Sequence, residues 1–480
     1  MQRINRAFGL LVLVSVAAAW EAFGGVTEIG TRRELFLDEA LLVSRRGVEL
    51  RMHRPEAREV VLTCDAPWEG NTSAYFTILE EEGLYRMYYR GSHFDEAKKR
   101  SAHVEYVCYA ESRDGVTWTK PSLGLVEVDG SSANNVILKG GQGERAGEVE
   151  LAHNFTPFFD RNPSVPKEER FKAFAGIRTG LTAYVSEDGL RWKAVPGGAV
   201  IPKGAFDSQN LGFWDADRRE YRAYWRVFTD GVTDEKTWKP SGVRAIRTAV
   251  SKDFRRWEYA TDLRYRDPVS EQLYTNAIRP YPRAPHLFIG FPTRYQAKTQ
   301  QVEPILMSSR DGVEFRRWSE ELIPITAPKD RDGNRSNYMV NALLELPGAA
   351  GEMSVYATEA YYRGTGSRVR RFVFRTDGFV SLHVGEKEGE AVSGYFTMAG
   401  GVLVVNAKTA GGGSVRAELR DESGQVFPGY SLEDCVPFSG DGIEVRMRWK
   451  GGDGVEGLKG KPMQIRWVLR DADVYSYRFE

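Results

Sequence analysis

One short phrase, repeated at long and nearly regular intervals, limits what this chain can fold into. Ser112-Arg-Asp-Gly-Val-Thr-Trp118 returns as Ser186-Glu-Asp-Gly-Leu-Arg-Trp192 and as Ser251-Lys-Asp-Phe-Arg-Arg-Trp257. A fourth copy begins Ser309-Arg-Asp-Gly312 and has Phe315 in the Trp position, and Arg375-Thr-Asp-Gly-Phe379 is a worn fifth. The repeat aspartates 114, 188, 253, 311 and 377 stand 74, 65, 58 and 66 residues apart. Asp-Gly supplies the positive φ of a tight hairpin turn, and Ser and Asp side chains hydrogen-bond the backbone around it. The Trp that follows is expected to pack back between neighbouring units.

Each turn is preceded by an apolar strand, at 107–110, 181–185, 245–250, 305–307 and 371–374. Upstream of each lies a second pair of strands: 75–79 with 85–89, 154–159 with 171–174, 210–214 with 221–225, 276–281 with 287–291, and 341–346 with 353–356. Five units of about 60 to 70 residues with four strands each predict an all-β, five-bladed β-propeller. No long stretch of helical period competes with that reading. The high share of aromatics (12%) and the 49 glycines suit short strands joined by tight turns.

The pattern changes after residue 385. Segments 402–405, 414–420, 443–449, 464–469 and 475–479 alternate charged and apolar residues, the mark of strands with one wet face. They predict a small antiparallel β-sandwich that follows the propeller and either binds glycan or only stabilises its neighbour. The expected organisation is a signal peptide over 1–24, a lead-in segment over 25–55, the propeller over 56–385 and the β-sandwich accessory domain over 386–480. The signal reading rests on Arg3 and Arg6 before an apolar run at 7–19, too short to span a bilayer. Ala17-Ala-Ala19 or Ala22-Phe-Gly24 would be the cleavage site. The mature protein is expected to be secreted or periplasmic, with no membrane span. Cys64, Cys108 and Cys435 permit one disulfide, for which Cys64 with Cys108 is the natural pair, or three free thiols.

Basic and acidic side chains balance at 66 each, so no nucleic-acid footprint is present. No cysteine–histidine spacing suggests zinc, no cofactor is expected, and a central metal ion has no motif behind it.

In a propeller the inner strands converge at one mouth, so equivalent repeat positions meet there. Three inner strands open on His153-Asn154, Gln209-Asn210 and Thr275-Asn276, whose amides suit sugar hydroxyls or blade-to-blade ties. Just upstream stand Asp207, Glu271 and, in the first blade, Glu69. Glycosidic cleavage needs one protonated carboxylic acid and one ionised carboxylate, which these three are candidates to supply. Asp267 is a weaker candidate. Arg90, Tyr274, Arg283, His286, Arg294, Arg335, Asn337, Glu359 and Tyr361 are further candidates for substrate binding. Arginine among them suits a carboxylate or sulfate on an acidic sugar.

The five-fold array of Ser-x-Asp-Gly-x-x-Trp turns resembles the five-bladed propeller superfamily of glycoside hydrolase families 32 and 43. Leu35-Phe-Leu-Asp-Glu-Ala-Leu-Leu42, Phe206-Asp-Ser-Gln-Asn210 and Arg283-Ala-Pro-His286 resemble a branch of secreted bacterial proteins that carry a C-terminal β-sandwich. The resemblance implies acidic residues from the first, second and a later blade in a central funnel. Here Trp68-Glu-Gly-Asn71 stands in the first-blade region, blade two opens without a carboxylate, and Arg266-Asp-Pro268 falls before blade four. A secreted glycoside hydrolase or related glycan-processing enzyme, acting on an oligosaccharide or polysaccharide, is therefore the leading expectation. A non-catalytic carbohydrate-binding propeller and a protein-binding scaffold are the alternatives.

Overall fold

A computed structural model describes residues 25–140, 151–178, 180–233, 241–267, 269–323 and 336–480. The export-signal reading and Arg335 lie outside these residues. The chain divides into two compact units, Met52–Val380 and a second that joins residues up to Arg51 with Ser381–Glu480. No helix among the described residues is long and apolar enough to cross a membrane.

The first unit is a five-bladed β-propeller. Blade one is the antiparallel sheet of Ala74–Glu81, Leu84–Gly91, Tyr106–Ser112 and Val136–Lys139, and blade two that of Thr156–Phe159, Phe171–Ala175, Leu181–Ser186 and Lys193–Ile201. Blade three contains Leu211–Asp215, Glu220–Val232, Ser241–Ser251 and Glu258–Asp262. Blade four contains Arg279–Tyr281, Ala284–Gly290, Met307–Ser309 and Glu314–Arg317. Blade five borrows: its outer strand, Glu56–Thr63, precedes blade one in sequence and pairs antiparallel with Arg368–Arg375, beside Glu352–Glu359. The inner segments of blades five and one meet where Asn341 N donates to Phe76 O (2.9 Å) and Ile78 N to Asn341 O (3.2 Å). Ring closure of this kind ties the last blade to the first through backbone hydrogen bonds.

The repeat turn behaves as its chemistry predicts. Asp114 Oδ1 accepts from the amides of Val116 (2.8 Å) and Thr117 (2.7 Å), Ser112 Oγ accepts from Gly115 N (2.9 Å), and Trp118 Nε1 donates to Gly115 O (3.1 Å). The turn glycine is also a blade-to-blade contact. A Cβ on Gly115 would lie 2.5 Å from Leu346 Cδ2, on Gly189 2.6 Å from the Tyr88 hydroxyl, and on Gly312 2.8 Å from the Tyr224 hydroxyl. Tyr88 and Tyr224 come from the second strand of the preceding blade. Where blade three has Phe254 instead, at φ 61°, blade two presents Phe174, and the two rings stack at 4.7 Å. The worn fifth copy makes a different turn: the positive φ (59°) falls on Asp377, whose carboxylate accepts from the Tyr281 hydroxyl (2.6 Å) and Arg283 Nε (3.0 Å).

The second unit is a small β-sandwich built on two long strands, Leu403–Asp421 and Met463–Phe479, paired along their lengths. Leu403, Val405, Ala407, Val415, Ala417 and Leu419 enter its core with Ile465, Trp467 and Leu469, while Arg416, Glu418 and Arg466 face away in strand alternation. Residues 27–46, read from sequence as part of a lead-in segment, contribute strands here. Thr27–Gly30 runs parallel to Phe396–Met398, Glu34–Leu35 pairs with Ser476 and Tyr477, and Leu42–Arg46 pairs with Gly389–Ser393. All three cysteines are free and buried.

Candidate active site

At or just before the innermost segment of each blade, the chain presents one side chain to the same mouth: Tyr75, His153, Asp207, Tyr274 and Tyr338. Their contacts close a circle. The Tyr75 ring lies 5.9 Å from the His153 ring, and its hydroxyl donates to Asp207 Oδ1 at 3.3 Å. His153 Nε2 is 2.9 Å from the same oxygen. Ser208 Oγ, next to Asp207, donates to Tyr274 O at 2.7 Å. Tyr274 packs on Tyr338 (5.9 Å) and Tyr338 on Tyr361 (5.6 Å). Arg90 Nη2 donates to the Tyr361 hydroxyl at 3.1 Å, and its guanidinium lies over the Tyr75 ring at 4.9 Å.

The floor of the mouth is Gln209. Its amide reaches from blade three to blade one, donating to Phe76 O (2.9 Å) and Thr77 Oγ1 (3.1 Å), while Asn276 Nδ2 donates to Gln209 O (3.3 Å). Asn154 ties blade two to the chain entering blade three through Gly176 O and Phe206 O, and Asn210 braces its own loop through Phe206 O and Ser208 O. These amides, all buried, are bound to backbone, and that of Gln209 also to the Thr77 hydroxyl.

Glu105, at the head of the third strand of blade one, completes the charged part of the site. Its Oε2 lies 2.9 Å from His153 Nδ1, so one imidazole bridges two carboxylates. Arg90 Nη1 is 3.6 Å from Glu105 Oε1. Burial opposes charging here, but the Glu105 charge and the hydrogen bonds to Asp207 and Glu105 raise the His153 pKa to about 9. Burial likewise disfavours both carboxylates, yet His153 and Arg90 bring Glu105 down to about 2. His153, then Arg226 and Arg90, hold Asp207 well below the carboxylate range. At neutral pH the array is carboxylate–imidazolium–carboxylate. Burial raises the Tyr75, Tyr274, Tyr338 and Tyr361 hydroxyls, which stay protonated.

Four non-glycine residues around the mouth occupy the left-handed region: Tyr75 (56°), Ala277 (42°), Ala360 (59°) and Tyr362 (57°). Such backbone costs about 1–3 kcal/mol per residue and persists where the surroundings fix it. Tyr362 N donates to Asn71 O at 2.7 Å, which fixes the loop that delivers Tyr361.

The remaining sequence candidates have partners of their own. Glu69 accepts from Tyr89 Oη (2.5 Å), Lys120 Nζ (2.6 Å) and Ala66 N (3.0 Å) within blade one. Glu271 accepts from Arg294 Nη1 (2.7 Å), Asp267 pairs with Arg317, and Glu359 is held between Arg368 (2.9 Å) and Arg370 (2.8 Å). Asn337 Nδ2 donates to Thr358 O (3.0 Å). Arg283 and His286 belong to the hairpin at the far end of the blade-four inner strand, where Arg283 meets Asp377 and Glu345. Sequence reasoning thus reached His153, Asp207, Tyr274, Arg90 and Tyr361 but not Tyr75, Glu105, Arg226 or Tyr338. Tyr338 carried a usable signal, since it stands just before the inner segment 341–346 much as His153 stands before its strand, and Tyr75 opens the first inner strand itself.

Among the described residues, no three His, Cys, Asp or Glu side chains group so as to hold a metal ion. No known family profile matches the chain, and the comparison with curated proteins returns no match. The structure is similar to a thermostable family-43 glycoside hydrolase, at 12% identity over 65% of this chain and 94% of the other, with a TM-score of 0.42. It is similar to the Penicillium chrysogenum α-L-arabinanase, at 12% identity over 68% and 98%, with a TM-score of 0.39. It is also similar to the Bombyx mori family-32 β-fructofuranosidase, at 9% identity over 90% and 94%, with a TM-score of 0.39.

Proposed function

We propose that the mouth binds and processes a carbohydrate, as a glycoside hydrolase or a related glycan-active enzyme, after export guided by the N-terminal apolar run. The observation that carries this reading is the Asp207–His153–Glu105 array set among Tyr75, Tyr274, Tyr338 and Tyr361. Tyrosine offers an apolar face for a sugar ring and a hydroxyl for its polar edge. An ionised carboxylate beside it can activate water or stabilise an oxocarbenium-like transition state. Asp207 takes that role. The proton donor must be a group that keeps its proton at neutral pH, which at this mouth means His153 or one of the phenols.

The test is a glycan-library screen for released product. Asp207→Asn is expected to lower the rate at least ~100-fold, the usual scale for losing a general acid–base group, with folding intact. Full activity in Asp207→Asn overturns the assignment. Glu271→Gln and Glu69→Gln are expected to act on stability, through Arg294 and Lys120, and to leave the rate per folded molecule within a few-fold.

A second reading is a non-catalytic sugar-binding propeller. One observation favours it: the space between the two carboxylates of the array is filled by an imidazole, whereas inverting hydrolysis needs room there for water. Glycan binding by the wild type with no product from any bound glycan would select this reading.

A further inference from the structure

The hairpin of blade three overruns its blade. Its two strands, Glu220–Val232 and Ser241–Ser251, are 13 and 11 residues long, and Phe228 pairs with Arg244 in its outer part. This extension carries two arginines beside the tyrosine ring. Arg226 is buried, its Nε donates to Ala205 O (2.9 Å), and its guanidinium lies 4.7 Å over Tyr274. Arg244 stacks on Tyr295 (4.2 Å), Phe228 (5.3 Å) and Tyr274 (5.6 Å). The two cations therefore share one aromatic ring, and that ring belongs to the mouth.

Their partners differ. Arg226 is one of the charges that keep Asp207 ionised. Among the described residues, Arg244 makes its one side-chain hydrogen bond to a neutral group, Gln272 Oε1 (2.7 Å), and its buried Nε has no partner. The acids nearest in sequence to Gln272 and Tyr295 are spoken for, since Arg294 binds both Glu271 (2.7 Å) and Glu303 (2.9 Å). Among the described residues, His153, Arg90 and Arg226 act on Glu105 and Asp207, whereas Arg244 pairs with neither carboxylate. Burial, and then the Arg226 charge, push the Arg244 guanidinium below its usual range. A guanidinium packed over aromatic rings, with no acid on its fork among the described residues, is arranged to take an oxyanion.

We propose that the sugar taken by this mouth carries an oxyanion, a carboxylate or a sulfate ester, and that Arg244 with Arg226 is its receptor. The inference rests on the carbohydrate reading and narrows it to acidic glycans.

The experiment is calorimetric binding of the full chain to hexuronate oligosaccharides, sulfated oligosaccharides and neutral oligosaccharides of equal length. Wild type is compared with Arg244→Gln, Arg244→Lys and Arg256→Gln, the last an exposed arginine of the same blade. Wild type is expected to bind one acidic class about tenfold or more tightly than the neutral one, the worth of one charged hydrogen bond. The class that binds identifies the oxyanion. Arg244→Gln should erase that preference while neutral affinity changes less than threefold, Arg244→Lys should retain part of it, and Arg256→Gln all of it. Equal affinity for neutral and acidic glycans, or equal loss in Arg256→Gln, overturns the oxyanion inference and leaves the carbohydrate reading standing. No binding of any class overturns both. If the Arg244 variants do not fold, the wild-type preference for or against acidic glycans still decides.

Discussion

His153 joins blade two to blade three by placing Nε2 2.9 Å from Asp207 Oδ1. The pairing sets the charge state of the site, because the ring titrates near pH 9 instead of 6.5. A pKa raised by folding adds stability that is complete below pH 6.5 and disappears as pH climbs through 9. Removing one member of a partly exposed ion pair of this kind costs about 2 kcal/mol, below the figure for full burial. His153→Gln is expected to unfold at lower urea at pH 6, with the difference from wild type closing by pH 10. A difference that persists at pH 10 would show that packing, not charge, is what His153 contributes.

Gln209 floors the mouth with two hydrogen bonds into blade one. Gln209→Ala strands the buried Thr77 Oγ1, while Phe76 O keeps the Asn341 amide as a donor. An unsatisfied buried polar group costs about 1–3 kcal/mol. The urea midpoint should fall by that amount with an unchanged slope. A variant as stable as wild type would mean that water replaces the amide.

The turn glycines are expected to be intolerant. Gly189→Ala puts a methyl 2.6 Å from the Tyr88 hydroxyl at a φ of 75°. Overpacking costs about 1–3 kcal/mol and the left-handed backbone adds about 1 kcal/mol more. Gly197, also at positive φ (114°) but with open space around its Cβ position, is the control: Gly197→Ala bears the backbone term alone. Equal losses at the two sites, measured by thermal unfolding, would remove the blade-contact argument.

The buried thiols offer a direct reading of packing. Burial raises the Cys64 and Cys108 thiols far above the range in which thiolate forms, and Cys435 is raised for the same first reason. A thiol reagent at pH 8 should label none of the three in the native protein and all three in guanidinium. Labelling of only one thiol in guanidinium without reductant would instead reveal a disulfide.

The propeller was legible because its signal is local and repeated: each Asp-Gly turn needs only its own seven residues. Strand alternation from 402 onward exposed the second unit by the same logic. Three things were not local. Glu56–Thr63 completes blade five across some 300 residues, and nothing in the strand says which partner it takes. Thr27–Gly30 pairs in parallel with Phe396–Met398, again a matter of topology. In the mouth, Asp207 and His153 stood out as polar residues at repeat positions, whereas Glu105 heads a third strand, which the repeat logic assigns to the blade interior. Glu69 and Glu271 shared the repeat position that drew attention to Asp207, but the cations facing them, Lys120 and Arg294, come from segments the repeat does not align.

Glu105 is the residue whose substitution separates positioning from chemistry. Its hydrogen-bonded link to Asp207 runs through the His153 ring, and its charge is the first of the influences that raise the His153 pKa against burial. Glu105→Gln leaves the ring a hydrogen-bond acceptor at Nδ1 but removes that charge, so the pKa must fall from about 9. If Asp207 works only beside a charged His153, the alkaline limb of the pH–rate profile moves to lower pH in Glu105→Gln, and the rate on the acidic side of that limb stays close to wild type. Asp207→Asn, by contrast, should lose rate at every pH. Glu105→Asp, which restores the charge, should return the limb toward its original position. A Glu105→Gln profile lowered uniformly, with no shift of the limb, would place Glu105 in contact with the reacting sugar rather than behind His153.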